Sequence, residues 1–143
     1  MLQWSTKFAT GHPKIDSQHQ ALISYINKLE DIPRQTNPLR EEIEFILNLV
    51  DFIEVYTVSH FAEEESCMAC NLCPAYAENK AAHEHFLEFF RKFKKRFSSE
   101  GYHPQMLEEL HQTCSSWIQS HILAVDMKLK PFVTTPPEES GSI

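Results

Sequence analysis

The sequence predicts an all-α protein, an up-down-up-down antiparallel four-helix bundle with an irregular N-terminal arm. Two observations lead to this prediction. Only three of the 143 residues are glycine, and long stretches contain neither glycine nor proline, which favours helices over turn-rich β architectures. Apolar residues recur at helical spacing in four segments joined by short loops, and short loops place consecutive helices antiparallel.

The N-terminal arm is predicted to be irregular as far as residue 15, because a Gly-His-Pro run near residue 12 is typical of a loop. Asp16 or Ser17 is the expected N-cap of the first helix, since either side chain accepts a backbone hydrogen bond. This helix is predicted to end at Pro33, which has no backbone N–H to donate.

The other helix boundaries follow from proline positions. The second helix is predicted to start with Asn37 as N-cap and Pro38 as its first residue. Its length should be about 27 residues, up to a cysteine-rich segment. The third helix should begin at Pro74 and end before a turn at residues 98–101, and the fourth should begin at Pro104.

Length and composition predict a single domain with its own hydrophobic core, covering residues 1–132. Residues 133–143 are rich in Pro, Glu, Ser and Gly, and we expect a disordered tail there. The formal net charge of −7 argues against a nucleic-acid partner, because DNA-binding domains usually carry a basic face.

The sequence predicts a cytoplasmic protein without membrane insertion. We expect no apolar run to be long enough to cross a bilayer, and the N-terminus lacks the basic and apolar regions of a signal peptide.

Six side chains of metal-binding types interrupt the apolar stripes of the four helices. They are His19, His60, Glu64, His83, His121 and Asp126. A bundle core has little use for imidazoles and carboxylates unless a charged group lies among them. Imidazole together with carboxylate suits a divalent ion such as iron or zinc. The sequence therefore predicts a buried metal site with ligands from all four helices.

Spacing supports a site for two ions. His60 and Glu64 are four residues apart, so they project from one helix face. His121 and Asp126 are five apart, near a helix end where the backbone can turn both toward the core. Two bridging carboxylates would offset much of the charge of two divalent ions, as in dinuclear sites of other bundles.

The four remaining histidines are expected in loops or on helix flanks. They are His12, His85, His103 and His111. His85 lies about 200° around the third helix from His83, so the two cannot easily share one site.

Several motifs together resemble the bacterial hemerythrin pattern, and they span residues 4 to about 132. They are Ile15-Asp16-x-x-His19-Gln20-x-Leu22, His60-Phe61-x-x-Glu64, Met68 followed by Tyr76, His83-x-x-Phe86, and Trp117-x-x-x-His121-Ile122-x-x-x-Asp126. The resemblance implies a helical bundle that holds a non-haem diiron site and binds O2 reversibly.

The resemblance also implies the role of each ligand. Glu64 and Asp126 would bridge the two iron ions, and an oxo or hydroxo group would complete the bridge. The histidines of the first and second helices would hold one iron, and those of the third and fourth helices the other. The implied ligands are O2 and small anions such as azide.

One position departs from the family pattern. That pattern has a further histidine four residues before the one matched by His83, and this chain has Asn79 there. An amide oxygen is a harder and weaker iron ligand than imidazole. Each iron would then have two histidines, with at least one position vacant, water-filled or weakly bound by Asn79. Direct ligation by Asn79 and hydrogen bonding of Asn79 to a bound water both stay open.

The O2 pocket is expected to be dry and apolar, because water promotes loss of bound dioxygen. Candidates next to the ligands are Leu22, Phe61, Phe86, Trp117 and Ile122. Simple core packing explains each of them equally well.

Cys67, Cys70 and Cys73 form two overlapping C-x-x-C motifs just beyond Glu64. Three thiolates can bind zinc or an iron–sulfur cluster, but no fourth ligand is evident nearby. The segment follows a helix C-terminus, whereas a helix N-terminus is what activates redox C-x-x-C thiols. A structural or incidental role is the first interpretation, with redox sensing and a metal cluster as alternatives.

The predicted function is O2 binding for storage or delivery, and whether the protein is also an enzyme stays open. An O2 or redox sensor is one alternative, although sensors of this family usually carry an output domain. A diiron peroxidase or oxidase that uses the opened position is another. Ferritin-like enzymes need two Glu-x-x-His pairs on helices, and within the predicted helices only Glu108-x-x-His111 matches. The last alternative is a non-iron metal store or a purely structural bundle. The sequence identifies no protein partner.

Overall fold

The computed structural model describes residues 1–133, and it confirms the all-α four-helix bundle. The helices are α1 (Pro13–Asp31), α2 (Arg40–Cys70), α3 (Tyr76–Glu100) and α4 (Pro104–Ala124). Short 3-10 helices at Thr6–Phe8 and Asp126–Phe132 precede and follow them. Helix α1 packs against α2 and α4, and α2 packs against α3.

The start of α1 differs from the prediction. The helix begins at the proline of the Gly-His-Pro run, and the N-cap is His12, whose Nδ1 accepts a hydrogen bond from the Ile15 backbone at 3.4 Å. Asp16 and Ser17, the predicted caps, lie inside the helix. The Asp16 carboxylate instead accepts hydrogen bonds from the Thr10 backbone and hydroxyl, both at 2.8 Å, and so fixes the arm to the helix. The proline in the first helical position therefore marks the start of α1.

Helix α2 also starts later than predicted. Asn37 and Pro38 precede the helix, and its N-cap is Leu39. The Leu39 backbone N–H donates to the Glu42 side chain at 2.7 Å, which satisfies one of the free donors of a helix N-terminus. The helix is 31 residues long, so the predicted length was too short.

The third helix differs from its prediction at both ends. It begins at Tyr76 rather than Pro74, and it continues through residues 98–100, where a turn was predicted. Gly101, with φ 80°, ends it. The predicted start of α4 at Pro104 is confirmed.

Helix α2 ends in a Schellman motif. The backbone N–H of Cys73 donates to the Met68 carbonyl at 2.9 Å, and that of Leu72 donates to the Ala69 carbonyl at 3.2 Å. The motif requires a left-handed residue, and Leu72 supplies it with φ 55° while its side chain is 84% exposed. A left-handed backbone costs a non-glycine residue roughly 1–2 kcal/mol.

Two apolar clusters fill the interior. The larger cluster runs through the bundle and includes Phe61 and Phe86. The smaller cluster lies around the α2–α3 connection and contains Met68, Cys73, Ala75 and Leu129. Along the chain, Glu64 and Asn79 lie between members of the two clusters, so the helices position a polar layer where the clusters meet.

The predicted irregular arm packs against the bundle. The Asn27 side chain on α1 donates to the Leu2 carbonyl at 2.7 Å, and Phe8 is fully buried in the larger cluster. At the other end, Val133 packs against the smaller cluster. The remainder of the predicted tail, residues 134–143, lies outside the described residues.

By length and composition alone, α2 could cross a membrane, so the expectation that no apolar run is long enough was wrong. In the most apolar window of α2, 33% of the residues are buried inside the protein. The ionisable side chains of His60 and Glu64 are among the buried residues of this helix. The absence of membrane insertion stays a prediction.

Replacing Leu72 with glycine should stabilise the protein. Glycine adopts the left-handed conformation without steric cost but loses more conformational freedom on folding. We therefore expect the free energy of unfolding, measured by urea denaturation, to rise by about 0.5–1 kcal/mol. The control is Leu72→Ala, which keeps the backbone strain and should stay within about 0.5 kcal/mol of the parent. A lower stability for the glycine variant would contradict backbone strain at this position.

Candidate metal centre

The six predicted ligands meet in the interior of the bundle. Each is at least 95% buried, and they are His19, His60, Glu64, His83, His121 and Asp126. Helix α4 ends at Ala124, and the chain then turns into the 3-10 helix. This turn brings Asp126 Oδ1 to 3.1 Å from His121 Nε2.

The two oxygens of Glu64 face different histidines. Oε2 lies 3.0 Å from His19 Nε2 and 3.6 Å from His60 Nε2. Oε1 lies 3.1 Å from His83 Nε2. A carboxylate placed in this way can give one oxygen to each of two ions.

Asp126 has the same arrangement. Its Oδ2 lies 3.1 Å from His19 Nε2, and its Oδ1 lies 3.1 Å from His121 Nε2. The donors therefore divide into two groups, whose atoms lie within 4.8 Å of one another in each group. Glu64 belongs to both groups, and Asp126 faces a histidine on each side.

Several donor atoms approach one another without forming hydrogen bonds. Within residues 1–133, neither His83 Nε2 nor either Asp126 oxygen has a hydrogen-bond partner. Yet each lies 3.1 Å from a neighbouring donor or acceptor atom. Buried polar atoms without partners need an explanation. In each group the potential ligand atoms lie within 4.8 Å of one another, and a metal ion held among them would satisfy the unpartnered atoms.

Two side chains that sequence reasoning missed orient the ligand histidines. The Nδ1 atom of His60 lies 2.7 Å from Gln18 Oε1, and that of His83 lies 2.8 Å from Glu65 Oε2. A proton on each Nδ1 leaves each Nε2 lone pair free for a metal ion. Gln18 precedes a ligand and Glu65 follows one, but nothing in the sequence distinguishes them from surface residues.

Asn79 is fully buried at the edge of the donor cluster. Its Oδ1 lies 2.6 Å from His121 Nε2. Its Nδ2 donates to Glu64 Oε1 at 3.0 Å and to the Met68 sulfur at 3.3 Å. The amide nitrogen is thus held by a carboxylate and a thioether, and the amide oxygen faces the same region as a ligand histidine.

Electrostatics in the cluster favour cations. Burial disfavours protonation of His19, but its close contacts with Asp126 and Glu64 outweigh burial and raise the pKa of His19 to about 9. Burial lowers the pKa of His60 to about 3, so its imidazole is neutral. Burial would raise the pKa of Glu64, yet the neighbouring His19 and His83 hold it well below its usual range. Ionised carboxylates and a neutral imidazole are metal-binding forms.

Aromatic rings cover two of the ligand histidines. The Phe61 ring stacks on His83, with centroids 3.6 Å apart, and Trp117 stacks on His121 at 4.3 Å. Trp117 is only half-buried, so it separates this histidine from solvent.

A small cavity lies beside the centre. The volume open to the centre of a water-sized molecule is about 10 Å³, which is close to the minimum that can hold one water molecule. The structure places four of the five predicted pocket residues around it, Leu22, Phe61, Phe86 and Trp117, together with Thr57 as a polar member. Ile122 is fully buried but does not line this cavity.

One of the histidines expected on helix flanks is buried. His111 is 7% exposed on α4, and neither ring nitrogen has a hydrogen-bond partner within the described residues. The cysteines are all free thiols. None of them belongs to a group of three or more potential metal ligands in residues 1–133, so the described residues do not support a cysteine metal cluster.

The metal-free protein should lose stability as the pH rises above neutrality. The folded pKa of His19 is raised, so its stabilising effect is complete below the unfolded value near 6.5 and disappears as the pH rises through about 9. We expect the free energy of unfolding in chelator to fall by at most about 3 kcal/mol over this range. In His19→Gln this fall should be smaller, whereas in the exposed control His103→Gln it should persist. Equal pH profiles for the parent and His19→Gln would contradict the raised pKa.

Comparison with known proteins supports a metal centre in this bundle. The family described as "Hemerythrin HHE cation binding domain" matches residues 10–133. The chain is 30% identical over 126 residues to bacteriohemerythrin from Stenotrophomonas maltophilia, an alignment that covers 88% of this chain and 77% of that protein. It is 32% identical over 121 residues to bacteriohemerythrin from Pseudomonas aeruginosa, with coverages of 85% and 74%.

A more distant relative is myohemerythrin from Sipunculus nudus, which is 24% identical over 127 residues, with 89% of each chain covered. The resemblance predicted from the motifs is confirmed. Hemerythrins bind O2 at a diiron centre, and the convergent imidazoles and carboxylates fit a pair of iron ions. The chain belongs to the hemerythrin family.

Proposed function

We propose that this protein binds O2 reversibly, for storage or delivery, at a carboxylate-bridged diiron centre. The proposed ligands are His19, His60, Glu64, His83, His121 and Asp126. The observation that carries this proposal is the division of both carboxylates between two sets of histidines. Two ferrous ions would supply the electrons with which O2 combines.

The protein's own residues would control the surroundings of these ions. The Gln18 amide and the Glu65 carboxylate hold the Nδ1 protons of two ligand histidines, which fixes the ring orientation. The rings of Phe61 and Trp117, which stack on His83 and His121, would shield these ligands from water. Low access of water slows proton-assisted loss of the bound gas, so these residues favour reversible binding over oxidation.

The small cavity is the proposed approach site for O2. It is lined mainly by apolar side chains, among them Leu22, Phe86 and Ile118. A cavity of this kind stays dry because a water molecule needs two or more polar partners, whereas a diatomic gas needs none. Ile122 would contribute packing next to His121 rather than lining.

We propose that Asn79 makes the metal ligands of this centre differ from those of family members that have histidine at this position. We propose that its Oδ1 acts on the ion held by His83 and His121, either directly or through a water molecule. The contacts of Nδ2 with Glu64 and Met68 support this orientation. Because amide oxygen binds iron weakly, a small anion could replace it. This opened position is also the one observation that favours the alternative of a diiron peroxidase or oxidase.

We also propose a cytoplasmic location, where the cysteines of the protein stay reduced. The four free cysteines are consistent with this location.

O2 storage inside a cell needs no protein partner. A sensor would need a partner, and no feature of the described residues points to a partner.

Asn79→His should convert the centre to the usual histidine content. A third imidazole on one ion would close the opened position, so we expect azide to bind more weakly to the diferric variant and autoxidation of the diferrous variant to slow by about tenfold. Optical titration with azide measures the affinity, and stopped-flow spectroscopy measures the autoxidation rate. Asn71→His, outside the donor cluster, is the control. If Asn79→His leaves rate and spectrum unchanged, Asn79 does not act on the metal.

Anaerobic reconstitution with ferrous iron, followed by O2 titration, tests the function. Reversible carriage predicts an optical band that appears with O2, reaches one O2 per two iron ions and disappears on deoxygenation. Catalytic consumption of a reductant at the same iron content would favour the enzyme alternative. Irreversible oxidation without turnover would contradict both.

A further inference from the structure

We propose that Cys67 and Cys70 form a reversible disulfide in the presence of hydrogen peroxide, and that this bond regulates the metal centre through Met68. The disulfide is independent of the proposed function, whereas the regulation depends on it. The last turn of α2 and its connection to Asn79 carry the proposal.

The two cysteines occupy a suitable position in the helix. They lie three residues apart in its final turn, and Cys70 is the last helical residue. Side chains at this spacing have Cβ atoms about 5–6 Å apart, and a disulfide needs about 3.5–4.5 Å. A movement of one to two ångströms would therefore suffice. The movement would fall on Cys70, because it is the last helical residue, whereas the Cys67 carbonyl is held by the Asn71 backbone at 3.1 Å and by the Asn71 side chain at 2.7 Å.

Accessibility assigns a different role to each thiol. Cys70 is exposed, whereas Cys67 is partly buried, and burial raises its pKa. Cys73 is 4% exposed, and its thiol donates to the Lys128 carbonyl at 3.6 Å. Cys114 is fully buried in α4. Peroxide would therefore reach Cys70 first, and Cys67 is its neighbour in the same turn.

The chemistry balances with one molecule of hydrogen peroxide. The Cys70 sulfur attacks a peroxide oxygen, an S–O bond forms, the O–O bond breaks and one water leaves. The Cys67 sulfur then attacks the Cys70 sulfur, an S–S bond forms, the S–O bond breaks and a second water leaves. In total the two thiols lose two protons and two electrons, and hydrogen peroxide takes up both to become two water molecules.

Met68 connects this bond to the metal centre. It lies between the two cysteines in sequence and is fully buried. Its sulfur accepts a hydrogen bond from Asn79 Nδ2 at 3.3 Å, and the Asn79 oxygen faces His121 at 2.6 Å. A disulfide across Met68 tightens the turn around it, so the Asn79 amide shifts relative to the centre.

Thiol counting after peroxide treatment tests the bond, in both metal-free and iron-loaded protein. We expect the parent to lose two of its four free thiols, with the disulfide mapped to Cys67 and Cys70 by peptide mass spectrometry and reversed by dithiothreitol. The matched control Cys73→Ser should also lose two thiols, and Cys70→Ser should form no internal disulfide. Four surviving thiols, a bond to Cys73, or over-oxidised Cys70 without a disulfide would overturn the proposal.

Azide affinity of the iron-loaded protein tests the regulation. We expect oxidation to change the dissociation constant by at least about fivefold in the parent and to leave Cys70→Ser unchanged. A disulfide with unaltered azide affinity would overturn the regulatory part. If azide does not bind the reduced-thiol, iron-loaded protein at all, the proposed diiron function fails, while the thiol count still decides the disulfide.

Discussion

Two carboxylates with almost no access to water set the main constraint on this bundle. Glu64 is fully buried and Asp126 is 1% exposed, and taking each charge out of water costs several kcal/mol unless a partner offsets it. Without metal, the raised pKa of His19 supplies one positive charge between them. One proton against two carboxylates is incomplete compensation, whereas a pair of divalent cations would supply more positive charge than the two carboxylates carry. The polar layer is therefore built for cations.

The rest of the fold keeps that layer in place. The larger apolar cluster lies on one side and the smaller one on the other, so the helices cannot slide without exposing apolar side chains. The hydrogen bonds between Thr10 and Asp16 fix the start of α1 just before His19. The left-handed Leu72 reverses the chain after α2, and the smaller cluster covers that turn. Backbone strain here is compensated by burial of Met68 and its neighbours.

Helical periodicity was sufficient to predict the bundle and the residues that would meet inside it. The stripes through His19 and His83 are buried as expected, because a period of 3.6 residues determines which side chains share a face. Helix ends were predicted less well, since several residues near Asn37 can act as caps and tertiary contacts decide among them.

Contacts between helices could not be predicted from one sequence. Gln18 and Glu65 accept from ligand histidines through space, and their sequence context matches that of surface residues. The register of Asn79 was clear, but its hydrogen bond to Met68 depends on how α2 and α3 pack. Burial of His111, by contrast, follows from helical spacing, because His111 is four residues after Leu107 and seven before Ile118, which are both buried on the same face of α4.

The most direct measurement is the iron content of single intact chains after anaerobic reconstitution, determined by native mass spectrometry. Paired donors that share Glu64 and Asp126 predict two iron ions per folded chain, bound together rather than one at a time. A chain that holds one iron ion or none under these conditions would contradict a dinuclear centre in the middle of the bundle.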